Sequence, residues 1–285
     1  MAGVPRTGHF SGWEAVVRYH WVGLLTDYGL RDGFVAACHG VLARLAPSVR
    51  VIDITHDVPA QDVRHGAAVL AQTVPYLPPA VIVGVVDPGV GSARRGIAIE
   101  TGDSVLVGPD NGLLSWAADA LGGARRVVSL DSARFHLPGR ARTFDGRDVF
   151  APVAAHVAEG VDLDELGAQV SDASWLPAPA VGVSDGRLTA EVLTVDHFGN
   201  VQLAARRSDL AAARLGGPLV TVGATGEAAG QVADVIVGRT FADVAPGQPI
   251  CYIDSAGHVA LAVNRGRAVD VLAVRPGDRV VIARP

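Results

Sequence analysis

The sequence predicts two architectures in succession: an α/β domain with a mainly parallel sheet, then an all-β antiparallel barrel. Three observations carry this. Apolar strand-like runs alternate with helical patterns between residues 21 and 160, the pattern of an α/β layer. One of those runs, AVIVGVVD (80–87), is continuously apolar and β-branched, as expected for a parallel strand covered on both faces. Beyond residue 172, short β-rich segments separated by turn residues replace the long helical patterns.

Taken in order, WVGLLTDYG (21–29) is an apolar strand ending at a polar corner. In the segment after it Phe34, Ala37, Cys38, Val41, Leu42 and Leu45 recur at helical spacing, and Pro47 lies just beyond the end. VRVIDIT (49–55) is the next strand, and a helix begins near Asp62. After the 80–87 strand, GIAIET and SVLVGPD read as two more strands, GLLSWAADAL as a helix and RVVSLD as a strand. DVFAPVAAHVAEG is a helix with Phe150, Val153, Ala154 and Val157 on one face. Pro, Gly and an Asp-Gly turn then mark 175–187 as a linker. LTAEVLTVD, NVQLAA, PLVTVG, QPICYID, HVALAVN and DRVVIAR are short strands, with one helical piece near 208–215. The expected division is an extension over 1–20, an α/β domain over 21–174, the linker over 175–187 and a barrel over 188–285.

The 285 residues are 49% hydrophobic and 19% charged, enough for a full core and against disorder. A net charge of -5 with scattered arginines offers no basic face for nucleic acid. No apolar run approaches the roughly 18 residues of a membrane span, and residues 1–20 lack the apolar stretch of a signal peptide. Cys38 and Cys251 form no metal or redox motif and read as reduced core residues, which points to the cytoplasm. No GxGxxG follows the first strand, which argues against a dinucleotide-binding oxidoreductase.

Ligands of open α/β sheets bind at the carboxyl ends of the strands. Four polar corners follow apolar strands: Thr26-Asp27, Asp53 with Thr55-His56, Asp87 through Arg94, and Pro109 to Gly112. A fifth cluster, RTFDGRD (142–148), precedes the helix from Val149. One such corner is an ordinary cap or turn; several at equivalent places predict a pocket for a polar ligand. In VVDPGVGSARRG (85–96) the turn needs its Pro and glycines, but not Asp87 and Arg94.

The segments TDYGLRDGFVAACHGVLARLAP, VIDITHDVPAQDVRHGAAVL, VVDPGVGSARR, VGPDNGLL, RDVFAPVAAHVAEG and VDHFGNVQ follow one another as they do in a known family. From Trp21 onward the chain resembles the S-adenosylmethionine (SAM) hydroxide adenosyltransferases, hydrolase-like relatives of the fluorinase and chlorinase that make 5′-halo-deoxyadenosines. The resemblance implies an N-terminal α/β domain, a C-terminal β-barrel, and a homotrimer with active sites between the N-terminal domain of one subunit and the C-terminal domain of the next. It implies that Asp27 accepts hydrogen bonds from the two ribose hydroxyls, a task suited to a carboxylate. Asp196 and Asn200 match positions at the methionine and adenine ends of SAM, and Asn264 matches a second adenine-binding segment with largely main-chain contacts. Asp87 and Arg94 match two members of an Asp-Arg-His set that holds and activates water. Halogenases resemble this chain less here, since they carry a tyrosine in place of Asp87 and an insertion after this segment.

The implied reaction is SN2 displacement by water at ribose C5′, which releases L-methionine and adenosine. SAM is the substrate, and no metal or second cofactor is required. The third member of the water-holding set is usually a histidine, and here Asp145 stands in its place in TFDGRD. Two roles are open to Asp145: it flanks Arg94 with Asp87 so that one carboxylate takes the water proton, or it caps the helix from Val149 and leaves a protein that binds SAM or adenosine without turnover. A halide-using chlorinase is a third reading, opposed by the charge of Asp87. His136, nine residues upstream, is a substitute for the missing imidazole. Gly146 is expected to leave space beside the reacting carbon, and Phe144 to form an apolar wall for the ribose or to pack in the core. His56 either touches ligand or bonds the corner backbone. His39 and Asp53 read as structural, Asp110 and Asn111 as a pocket wall, and Arg147 with Asp148 as a local ion pair.

Overall fold

The computed structural model describes residues 18–224 and 233–285. Most of the expected extension, residues 1–17, lies outside the described residues. The end of that extension is ordered: Tyr19 is 6% exposed in the core, and the backbone N–H groups of Arg18 and Tyr19 donate to Ala158 O.

The chain forms two compact units. The described residues of the first are 18–57, 76–111 and 121–173. Its strands are β1 (Trp21–Thr26), β2 (Arg50–Thr55), β3 (Val81–Val85), β4 (Gly96–Glu100), β5 (Val105–Pro109) and β6 (Arg126–Ser129). They form one sheet in the order β2-β1-β3-β5-β4-β6. The pairs β1–β2, β1–β3 and β3–β5 are parallel, while β4 runs antiparallel to β5 and β6. Every residue of β3 and β5 is buried, as their continuous apolar runs require. Helices α1 (Phe34–Leu45) and α4 (Ala151–Ala158) pack on each other, and α4 packs on β1 and β3. Their core joins Val22, Leu24, Leu42, Val83, Val107 and Phe150. The expected single helix from Val149 is two pieces, a π-helical turn (Gly146–Phe150) leading into α4.

The described residues of the second unit are 58–75, 112–120, 174–224 and 233–285. Helices α2 (Val63–Thr73) and α3 (Ser115–Ala120) belong to it. Asp62 caps α2, its side chain accepting from His65 N at 2.9 Å. The remaining elements are β7 (Val181–Ser184), β8 (Arg187–Val195), β9 (Val201–Arg206), α5 (Arg207–Ala212), β10 (Leu219–Ala224), β11 (Ala233–Val237), β12 (Pro249–Ile253), β13 (His258–Val263), α6 (Ala268–Leu272) and β14 (Arg279–Ala283). The strand order is β14-β10-β11-β12-β13-β9-β8-β7, and the pairing of β14 with β8 closes a seven-stranded barrel. Among the described strands of this sheet only β11–β12 pair in parallel. Closure removes exposed sheet edges from those seven strands. Buried residues alternate along β8, β9, β10 and β14, which fill the interior with Leu188, Val192, Leu203, Val222, Val280 and Ile282. Part of the segment read as a linker is a strand: Asp185-Gly186 is a two-residue hairpin turn between β7 and β8. Cys38 and Cys251 are buried and free, as the sequence predicts.

Candidate active site

After β1 the chain turns to β2 on one side, and β3 lies on the other. In open α/β sheets such a reversal is where ligands bind, beyond the carboxyl ends of the strands that flank it, here β1 and β3. Asp27 directly follows β1, and Asp87 follows β3 by two residues. Asp27 N donates to Val85 O at 3.4 Å, which ties the two corners together. Asn111 Nδ2 braces the β3 corner with a 2.8 Å bond to Val86 O. Asp110 accepts from Arg95 at 2.7 Å, so both residues brace this corner.

The Pro-Gly turn after Asp87 brings Arg94 back onto it. Arg94 Nε donates to Asp87 Oδ1 at 3.1 Å, and Arg94 Nη2 donates to Asp87 Oδ2. This is the bidentate geometry for which a guanidinium is suited. Arg94 Nη2 also donates to Asp145 Oδ2 at 3.0 Å. Asp145 makes no cap hydrogen bond to the helix it precedes, so the capping role is overturned. Its second partner is Arg140, whose Nε and Nη2 donate to Oδ1 and Oδ2 at 2.9 and 2.8 Å. The side chains of Asp87, Arg94 and Asp145 are 6%, 9% and 2% exposed. Two carboxylates and two guanidiniums thus form a charge-balanced chain, three members of it buried, as buried charges must be. Arg94 also lies over the Phe150 ring at 5.5 Å.

Burial pushes the Asp87 carboxyl above the ordinary carboxylate range, the Arg94 charge and hydrogen bonds oppose this, and the Asp145 charge adds to the rise. His136 does not join the set. Its Nε2 is buried and unpaired among the described residues, and burial, with Arg140 nearby, lowers its pKa. Arg140 is the further partner of Asp145 instead, and the sequence reading missed it. Its signal was charge: an aspartate added to a pocket already holding Asp87 needs a further cation, and PGRARTFDGRD offers three arginines.

Tyr28 was missed as well. A Cβ on Gly146 would stand 2.2 Å from the Tyr28 hydroxyl oxygen, so the room Gly146 leaves is taken by that hydroxyl. Burial raises the Tyr28 pKa, with the charges of Asp27, Asp87 and Asp145 among the further causes, so the phenol stays a neutral donor. Phe144 packs edge-on to Tyr28 and Phe34, at ring distances of 5.6 and 5.1 Å, and against the core of the first unit. Arg147 and Asp148 pair as expected, at 2.6 Å, and Asp148 also accepts from Ala141 N.

In the second unit, Asp196 Oδ1 accepts from the backbone of Phe198 and Asn200, and Oδ2 from Asn200 Nδ2 at 2.7 Å. Asn200 and Asn264 line a cavity of about 450 Å³ with Phe198 and Phe241. Asp196 and Asn200 line a neighbouring one of about 480 Å³ that includes Gln202, Tyr252 and Asp254. The structure therefore groups Asp196, Asn200 and Asn264 around two cavities with a shared wall. Asn264 Nδ2 donates to Val244 O at 2.7 Å, and its own backbone N–H donates to Gln248 O at 3.0 Å. Among the described residues no helix is long and apolar enough to cross a membrane.

Comparison with known proteins places this geometry in a lineage. Residues 22–167 match the model of the SAM hydroxide adenosyltransferase N-terminal domain, and residues 190–281 match that of the C-terminal domain. The chain is 56% identical over 263 residues to the (R)-S-adenosyl-L-methionine hydrolase of Salinispora tropica, covering 91% of this chain and 96% of that one. It is 27% identical over 277 residues to a fluorinase of an Actinoplanes species, covering 85% and 90%. A crystal structure of an uncharacterized conserved protein from Thermotoga maritima superposes with a TM-score of 0.86 at 34% identity, covering 92% of this chain and 100% of that one. With both domain models matched in order over most of its length, the chain belongs to the SAM hydroxide adenosyltransferase family.

Proposed function

We propose that this protein hydrolyses S-adenosyl-L-methionine to adenosine and L-methionine by direct attack of water on ribose C5′. The observation that carries the reading is the buried Asp87–Arg94 pair just beyond the carboxyl end of β3, with Asp27 directly following the neighbouring strand β1. Water oxygen bonds to C5′ as the C5′–S bond breaks, and that bonding pair stays on sulfur. The leaving group is a neutral thioether departing from a sulfonium and needs no protonation. Catalysis therefore consists of aligning water with the C5′–S axis and accepting its proton.

Asp87 is the proton acceptor in this scheme. Arg94 occupies one lone pair on each of its oxygens and leaves others for water. Its raised pKa makes it a better base than an exposed aspartate. Asp145, gripped by two guanidiniums, acts by holding Arg94 in place. An anionic Asp87 would repel chloride or fluoride, which disfavours halide as the nucleophile. Asp27 binds the ribose hydroxyls, Asn200 and Asn264 the adenine end, and Asp196 the methionine end. A homotrimer in the cytoplasm completes the reading, each active site taking its N-terminal half from one subunit and its C-terminal half from the next.

The test is incubation of purified protein with SAM in oxygen-18 water, with products followed by mass spectrometry. Adenosine with the heavy oxygen at C5′ is expected, and Asp87→Asn should suppress its formation at least 100-fold, roughly the value of a general base, while SAM binding persists. Bound but intact SAM in the wild type would leave a binding protein instead.

A further inference from the structure

At the open ends of β1 and β2 lies a cluster that the hydrolysis does not use. His39 comes from α1, Asp53 from β2, and His56 directly follows β2. His39 Nε2 is 2.8 Å from Asp53 Oδ1, and His56 Nε2 is 3.1 Å from the same oxygen. Among the described residues, this is a group whose ligand atoms all lie within 4.8 Å of one another.

His56 is the informative member. Its side chain is 4% exposed, and its Nδ1 lies 2.9 Å from Thr26 Oγ1. Its Nε2 is buried and, despite the approach to Asp53, makes no aligned hydrogen bond. With Nδ1–H donating to Thr26, Nε2 carries a lone pair facing an anionic carboxylate, an arrangement that favours a cation between them. The opposite tautomer would aim Nε2–H at Asp53, and the misalignment argues against it. Thr26 Oγ1 also accepts from Tyr28 N at 3.2 Å, which fixes the hydroxyl that orients the ring.

We propose that His39, Asp53 and His56 bind one divalent first-row transition ion of the zinc class, with water in the remaining position. Two imidazoles and one carboxylate are the donors such ions prefer, whereas magnesium and calcium favour all-oxygen sets. Metal–ligand bonds of about 2.0 Å in a tetrahedral site place ligand atoms about 3.3 Å apart, so the two imidazole–carboxylate separations need open only slightly. Thr26 is the outer partner that fixes the imidazole tautomer. The ion would pin α1 to the β2 corner without entering the hydrolysis, which needs none.

The experiment is calorimetric titration of the untagged, full-length protein with zinc chloride, together with the visible absorption of the cobalt(II) form. One ion per chain is expected, with cobalt bands of nitrogen–oxygen coordination and a rise in Tm on zinc addition. His39→Ala and Asp53→Asn should each weaken zinc binding at least about tenfold and abolish the Tm rise, with circular dichroism confirming a retained fold. Absence of zinc binding by the wild type, or unchanged binding by folded His39→Ala, would overturn the assignment. Neither result bears on SAM hydrolysis, which the oxygen-18 experiment tests separately.

Discussion

Asp87 and Asp145 are the same chemical group in two different settings. Asp87 shares one guanidinium and keeps lone pairs for water; Asp145 is held by two. Asp87 must be ionised to accept a proton, so turnover falls as pH drops through its pKa, which lies above the ordinary carboxylate value. The negative charge of Asp145 contributes to that rise, so its removal lowers the Asp87 pKa. Asp145→Asn should therefore move the acidic limb of the kcat profile to lower pH while reducing kcat at the plateau. A limb that moved upward, or stayed fixed, would contradict the division of roles. Arg140→Ala breaks the outer end of the chain. It should lower kcat about tenfold to 100-fold, in line with the 1.5–3 kcal/mol of charge-assisted bonds, with little change in KM and partial recovery in Arg140→Lys. Steady-state kinetics on the two variants decides this. At this scale the pairing of Asp87 with Arg94 was legible, because the turn between them needs its Pro and glycines but neither charge. Arg140 was hidden because it sits in a loop whose path onto Asp145 depends on the π-helical turn, and loops carry no periodicity to place them.

That turn shows how an element positions chemistry. A regular helix starting at Val149 was the expectation, but Gly146–Phe150 is π-helical, a form that often marks functional sites. Gly146 lets the Tyr28 hydroxyl approach the turn more closely than any side chain would allow. Gly146→Ala should therefore displace the hydroxyl or the turn, and cost both stability and kcat. In a Tyr28→Phe background the nearest ring atom would be 3.1 Å from the new Cβ, so most of the clash disappears. The double variant should consequently have a higher Tm than Gly146→Ala alone, a coupling that thermal melts would read directly. Equal melting of the two would mean that the glycine serves something other than Tyr28. Elements were legible where burial imposed a pattern: β3 and β5 read as continuous apolar runs, and α2 announced its start with Asp62. β7 was illegible because all four of its residues are exposed, so no alternation survives and its Pro- and Gly-rich flanks read as linker. α6, five residues long, is too short for a 3.6-residue period to register.

For the whole molecule, the division of labour between the two units makes their kinetic signatures separable. The pair proposed to activate water, Asp87 and Arg94, lies in the first unit; the cavities lined by Asp196, Asn200 and Asn264 lie in the second. Loss of Asp87 should lower kcat with KM little changed, because its bond to water strengthens in the transition state. Loss of Asp196 and Asn200 together should raise KM far more than it lowers kcat. The α/β-then-barrel order was visible in the change of texture near residue 172, but assembly was not, since no residue pattern in one chain encodes a threefold axis; the trimer rests on resemblance alone. A complementation experiment reaches it. In the proposed ring each site draws its halves from neighbouring copies, a head-to-tail interface that closes. Coexpressing Asp87→Asn with Asp196→Ala/Asn200→Ala in equal amounts then places two intact halves together at about one site in four. Assayed well below the wild-type KM, each variant alone should be nearly inactive and the mixture should recover about a quarter of wild-type activity. A site built within one chain leaves no intact pair in any mixture, so activity that stayed at the level of the separate variants would rule out the shared site.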